Sequence, residues 1–134
     1  MEELVYAEMI EVKFPEMRKS VIGAVKSLAD RDYQRRVWVE GRYPNEQYYD
    51  DFSMNVHILF DDTVVLEDPE KYLGAILASR AEVGVMEVLA DALERLLDIE
   101  GQERSDLEYM ESPHWDAVVT AAETAYRELT SDNS

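Results

Sequence analysis

His57, Asp61 and Asp62 come closer than any other side chains to a reactive constellation. If the stretch 52–60 is helical, positions 57 and 61 lie one turn apart on one face, where an imidazole meets a carboxylate. A metal ion or a general acid–base pair needs such a meeting. The alternative is a hydrogen-bonded structural histidine, because His57 stands between Val56 and Ile58 in an apolar run. Asp61 and Asp62 are then a solvated helix end. The other histidine, His114, opens a different segment. No HExxH, repeated ExxH, glycine-rich phosphate loop or GxSxG elbow occurs. Cysteine is absent, which excludes disulfides, thiol nucleophiles and cysteine-based metal centres. The expectation is a protein that is not an enzyme, with no metal and no cofactor.

Arg35, Arg36 and Trp38 form the one compact basic-aromatic cluster. Two guanidiniums can hold a phosphate or carboxylate. In so acidic a chain, internal ion pairs to the second half are the competing use. A small-ligand or enzyme reading would gather Arg35, Trp38, His57, Asp61, Asp62 and Trp115 around one pocket. It requires His57 to face a cleft rather than the core.

Tyrosines carry the other signal. Tyr33, Tyr43, Tyr48 and Tyr49 fall within seventeen residues, beside Asp50 and Asp51. Tyrosine supplies rigid amphipathic contact area and is enriched at interfaces. Exposed, this loop is a contact surface; buried, it is the lid of a core. The acidic stretch Glu100, Glu103, Asp106, Glu108 and Glu111 reads as a solvated loop or as a steering patch for a basic protein.

Charge favours a basic partner. Thirty Asp and Glu face 13 Lys and Arg, for a net charge of −17. Residues 1–60 hold 8 basic and 11 acidic side chains, residues 61–134 only 5 against 19. Such a surface steers cations and repels nucleic acid and anionic lipid. The first fourteen residues carry acids without a long apolar run, unlike a signal peptide. No stretch approaches the ~20 apolar residues of a membrane span. A cytoplasmic, soluble protein is expected, as monomer or homodimer.

The elements that must position these residues are mostly helical. An apolar stripe of Met17, Val21, Ile22, Val25 and Leu28 behind Pro15 predicts a helix over 15–29. Asp32 is expected to cap a short helix toward Trp38, although Val37-Trp38-Val39 is β-prone. Residues 52–60 fit helix and strand patterns alike; Asp50, Asp51 and Ser53 as caps tip them to helix. Asp68-Pro69-Glu70 predicts a helix through Leu77. Ser79 predicts a longer one to Ile99, stopped by Gly101. Residues 102–111 read as a loop, and Ser112-Pro113 opens a last helix with Trp115 inward. The expected architecture is mainly α, a single-domain bundle of five or six helices over 14–130. A weakly specified arm covers 1–13, where a minor β element near the N-terminus stays open, and 131–134 are a frayed tail.

The motifs around Trp38 (Tyr33-Gln34-Arg35-Arg36-Val37-Trp38) and His57 (Asn55-Val56-His57-Ile58-Leu59-Phe60-Asp61-Asp62-Thr63), with Phe14-Pro15 and Ser112-Pro113-His114-Trp115, carry a resemblance. Over roughly residues 14–129 the chain resembles an uncharacterised family of small acidic proteins common in actinobacteria. That resemblance implies no activity. More loosely, by size and charge alone, the chain is similar to immunity proteins encoded beside secreted toxins. The functional expectation is a non-catalytic acidic domain that masks a basic site on a toxin. Tyr43, Tyr48, Tyr49, Asp50, Asp51, Glu103, Asp106 and Glu108 would be its contact residues. The other readings are a small metal- or ligand-binding enzyme at His57, Asp61 and Asp62, and a nucleic-acid mimic.

Overall fold

Three long amphipathic helices frame the molecule. In the computed structural model, which describes residues 11–131, they are α1 (Pro15–Ala29), α4 (Arg80–Glu100) and α6 (Trp115–Thr130). α6 packs along α1 on one side and along α4 on the other. Its buried face of Trp115, Val118, Val119, Ala122, Ala125 and Leu129 is rich in alanine, which lets both neighbours approach closely. Each helix hides one apolar stripe, and each fully buried aliphatic side chain contributes about 1.5–3 kcal/mol.

Between α1 and α4 run shorter pieces. α2 (Arg31–Tyr33) continues as a π-helical segment, Gln34–Val39. α3 (Phe52–His57) continues as a second, Ile58–Asp62. A 3-10 turn follows at Pro69–Tyr72, and α5 (Asp106–Met110) lies between α4 and α6. The fold is mainly α, a single helical bundle, with no strand among the described residues. Residues 1–10, most of the arm with its open β element, and residues 132–134 of the tail lie outside the described residues.

Local chemistry fixes the ends. The Asp51 side chain accepts from Met54 N at 2.8 Å and caps α3, so the strand alternative for 52–60 is settled as helix. Ser79 caps α4 through Glu82 N, and Gly101 ends it at φ +84°, a conformation costly for residues with a side chain. Three expectations need correction. Asp30, not Asp32, caps α2, accepting from Tyr33 N at 3.0 Å. The predicted helix 69–77 stops after one turn, where Gly74 takes φ +90° and its N–H bonds Leu77 O at 2.7 Å. The expected loop 102–111 contains α5, held by a capping box in which Ser105 and Glu108 bond each other's backbone N–H.

A nearly buried ion pair locks the frame. Arg18 on α1 meets Glu82 of α4 with two bonds of 2.7 and 2.8 Å, and also donates to Ile76 O and Leu129 O. Glu82 in turn accepts from Ala78 N at 2.7 Å. One cluster therefore ties α1, the turn after Tyr72, α4 and the end of α6.

Candidate partner-binding cleft

Phe52, Trp38, Trp115 and Tyr109 pack ring against ring at centroid distances of 4.6–6.2 Å. This cluster is the floor on which the functional candidates stand. Trp115 Nε1 donates to Gln34 Oε1 at 3.2 Å, and Gln34 Nε2 reaches the carbonyls of Ser27 and Leu28 at 2.9 Å. Trp38 Nε1 donates to Asp50 Oδ2 at 2.9 Å. Both indoles are buried with their N–H groups satisfied inside the protein, and neither Trp38 nor Trp115 lines the cleft beside them.

Asp50 is also corrected. It is 8 % exposed, and besides Trp38 it accepts from Tyr33 Oη at 2.8 Å and Asn55 Nδ2 at 3.0 Å. Its carboxylate serves as a buried acceptor for three elements and presents little to a partner. The tyrosines stand above it. Tyr43, Tyr48 and Tyr49 are 37, 36 and 55 % exposed, with Tyr43 6.4 Å from Tyr48 and 5.6 Å from Tyr49. The loop is thus a surface patch rather than a lid. The Tyr33 and Tyr48 hydroxyls bond each other, which anchors the patch to the Asp50 cluster.

Beside the patch opens a cleft of about 460 Å³ between α3 with its π segment, the last turns of α4, and α5. Phe52 and Tyr109 form its floor, Val56, Phe60 and Leu97 its half-buried walls. Asp61, Glu94, Asp98 and Asp106 bring four carboxylates to the lining, against the single guanidinium of Arg104. Arg104 is already engaged, donating to Glu100 O at 3.2 Å and Glu108 Oε2 at 3.4 Å. His57 Nδ1 meets Asp61 Oδ2 at 2.5 Å on the lip, both side chains more than half exposed. The sequence pairing of His57 with Asp61 therefore holds, and it faces a cleft. Asp62 points elsewhere, to a shallow depression with Glu16, Met17 and Ser20. Among the described residues no group of three or more His, Cys, Asp or Glu is arranged to hold a metal ion.

The remaining candidates divide. Arg35 is exposed and does not line the cleft; among the described residues neither it nor Arg36 has an ionic partner. The expected ties to the acidic second half are made instead by Arg18 with Glu82 and Arg31 with Asp116. Asp51 accepts from Tyr49 Oη at 2.5 Å, linking patch to helix cap. Asp106 accepts from Phe52 N at 3.3 Å; burial, aided by the charges of Asp51 and Asp50, holds its carboxyl above the ordinary range. Glu108 is held below its ordinary range by the Ser105 N–H of the capping box. Glu103 is exposed in the loop before α5.

The pattern missed Glu94, Leu97 and Asp98 as cleft residues. Their signal was present: positions 94 and 98 are one turn apart beside Leu97, at the edge of the α4 stripe. Phe52, Val56 and Phe60, spaced by four, were legible as one helical face but not as the wall of a cleft.

No helix among the described residues is long and apolar enough to cross a membrane. No curated protein and no solved structure matches the chain. The model of one family, the domain of unknown function DUF7945, matches residues 12–134, nearly the whole length, and the chain belongs to that family.

Proposed function

We propose that this protein is a non-catalytic acidic binding domain that captures a basic protein. Its most concrete form is an immunity-type inhibitor covering a basic site on a toxin in the cytoplasm of its host. One observation carries the reading: the exposed tyrosine patch is hydrogen-bonded to the helix that forms one wall of the carboxylate-rimmed cleft. Tyr49 bonds Asp51, Asp51 caps α3, and Asp106 joins α3 to α5 at the cleft wall. Surplus carboxylates speed the encounter with a cation, and rigid exposed rings slow its release. Substituting Tyr43 and Tyr49 by Ala is expected to raise the dissociation rate of the captured partner with little change in association rate. Unchanged dissociation would remove the patch from the interface.

A second reading is favoured by His57 and Asp61 on the cleft lip, where an imidazole–carboxylate pair meets a ligand-sized cavity. Its residue set differs from the one expected: Trp38, Trp115, Arg35 and Asp62 drop out, and Asp106 and Arg104 enter. A His57→Ala variant that loses turnover of hydrolase substrates while keeping its fold would favour this reading over simple binding.

A further inference from the structure

We propose that the cleft between α3 and the last turns of α4 receives an amphipathic basic helix of the partner protein. This rests on the binding-domain reading above and names the chemistry of its partner at one site. The cavity is a groove between two helical stripes: Val56 and Phe60 on one side, Leu97 on the other. Such grooves take the apolar face of a helix, read through side chains at i, i+3 and i+4. The occupant's charge follows from the rim. Asp61, one oxygen of which already meets His57, stands on the α3 side, Glu94 and Asp98 on the α4 side. Basic side chains leaving both flanks of a seated helix meet a carboxylate on either bank.

The rim has no counter-ion of its own to spare. Arg104, its one guanidinium, is spent on Glu100 and Glu108. A second copy of this chain, at net charge −17, would bring mainly more carboxylates. The backbone points the same way. The π-helical segment Ile58–Asp62 adds a residue to the turn that carries Phe60 into the cleft wall and Asp61 onto its lip. Such segments recur at functional sites. Phe60 and Asp61 supply one apolar and one anionic contact, the two an amphipathic basic helix requires.

The test uses the full chain and a fluorescently labelled synthetic helical peptide, with leucine on one face and arginine on its flanks. Two controls accompany it, a scrambled peptide of the same composition and a twin with glutamate in place of arginine. The Glu94→Gln/Asp98→Asn double variant is expected to weaken binding about tenfold or more. Glu67→Gln/Glu123→Gln, which removes the same charge away from the cleft, is expected to weaken it less than about threefold. Equal losses in the two variants, or equal binding of the scrambled peptide, would overturn the inference by reducing capture to bulk charge. Binding of a natural basic partner that depends on Tyr43 and Tyr49 but ignores the cleft variants would sink the cleft and leave the binding domain standing. Failure of every basic polypeptide to bind would sink both.

Discussion

Trp38 Nε1 donates to Asp50 Oδ2 at 2.9 Å, and this bond joins a core indole to the loop of exposed tyrosines. The same carboxylate holds the Tyr33 hydroxyl, which in turn bonds Tyr48. The patch is therefore pinned from beneath, so that the proposed partner would find little left to order, which limits the entropic cost of binding.

Asp50→Ala leaves the buried Trp38 N–H without an acceptor and loosens Tyr33 and Asn55. A buried unpaired donor costs about 1–3 kcal/mol, so a loss of about 2–3 kcal/mol in urea unfolding is expected. Asp50→Asn keeps one acceptor and loses less. Equal stability of the alanine variant and the parent would show that Asp50 carries no structural load.

Arg18 and Glu82 behave as a unit. Arg18→Met strands a carboxylate that is 5 % exposed, with Ala78 N as its remaining partner, and should cost about 3 kcal/mol. The double variant Arg18→Met/Glu82→Leu should recover part of that loss, because no charge is left stranded. Additive losses in a double-mutant cycle would contradict this coupling.

The tyrosines set an alkaline dependence. The hydrogen bond to Asp51 is the main cause that pushes Tyr49 up to about 12, and burial, with bonds to Tyr48 and Asp50, raises Tyr33 further. In the unfolded chain both ionise near the ordinary ~10. Their folded-state pKa values are raised, so the stability they contribute is complete below about 10 and is lost as pH climbs toward 12 and beyond. Absorbance titration at phenolate wavelengths should show late-ionising tyrosines, one fewer in Tyr49→Phe. A single transition near the ordinary value for all of them would rule the network out.

Ser105→Ala removes one half of the α5 capping box. The expected cost is about 1 kcal/mol, concentrated in α5 and visible as faster amide exchange there. Because α5 carries Asp106 and Tyr109 into the cleft, peptide affinity should fall with it although residue 105 does not line the cavity. Unchanged exchange in α5 would show that the box is dispensable.

How much of this was legible follows from lengths and partners. α1, α4 and α6 are long enough for their stripes to repeat several times, and Pro15, Ser79 and Gly101 mark their ends. α5 has five residues, too few for a period, and its Ser105-Glu108 signature is lost in an acidic run that resembles a loop. Asp68-Pro69-Glu70 announces a helix that Gly74 then terminates. In the site, the pairing of His57 with Asp61 is local and was readable. The cleft is not, because Glu94 and Asp98 come to face α3 only through the tertiary arrangement of elements distant in the chain. Asp50 was misplaced for a related reason: its burial comes from Trp38 and Asn55, and spacing alone does not tell a buried carboxylate from a solvated one.

The central claim is capture of a basic protein by an anionic, tyrosine-bearing face. It is tested most directly by isolating the partner on the immobilised chain at low salt, then timing association of the purified pair as salt is raised. Electrostatic capture requires the association rate to fall about tenfold or more between dilute and molar salt, with a smaller change in dissociation. An association rate indifferent to salt would contradict the account.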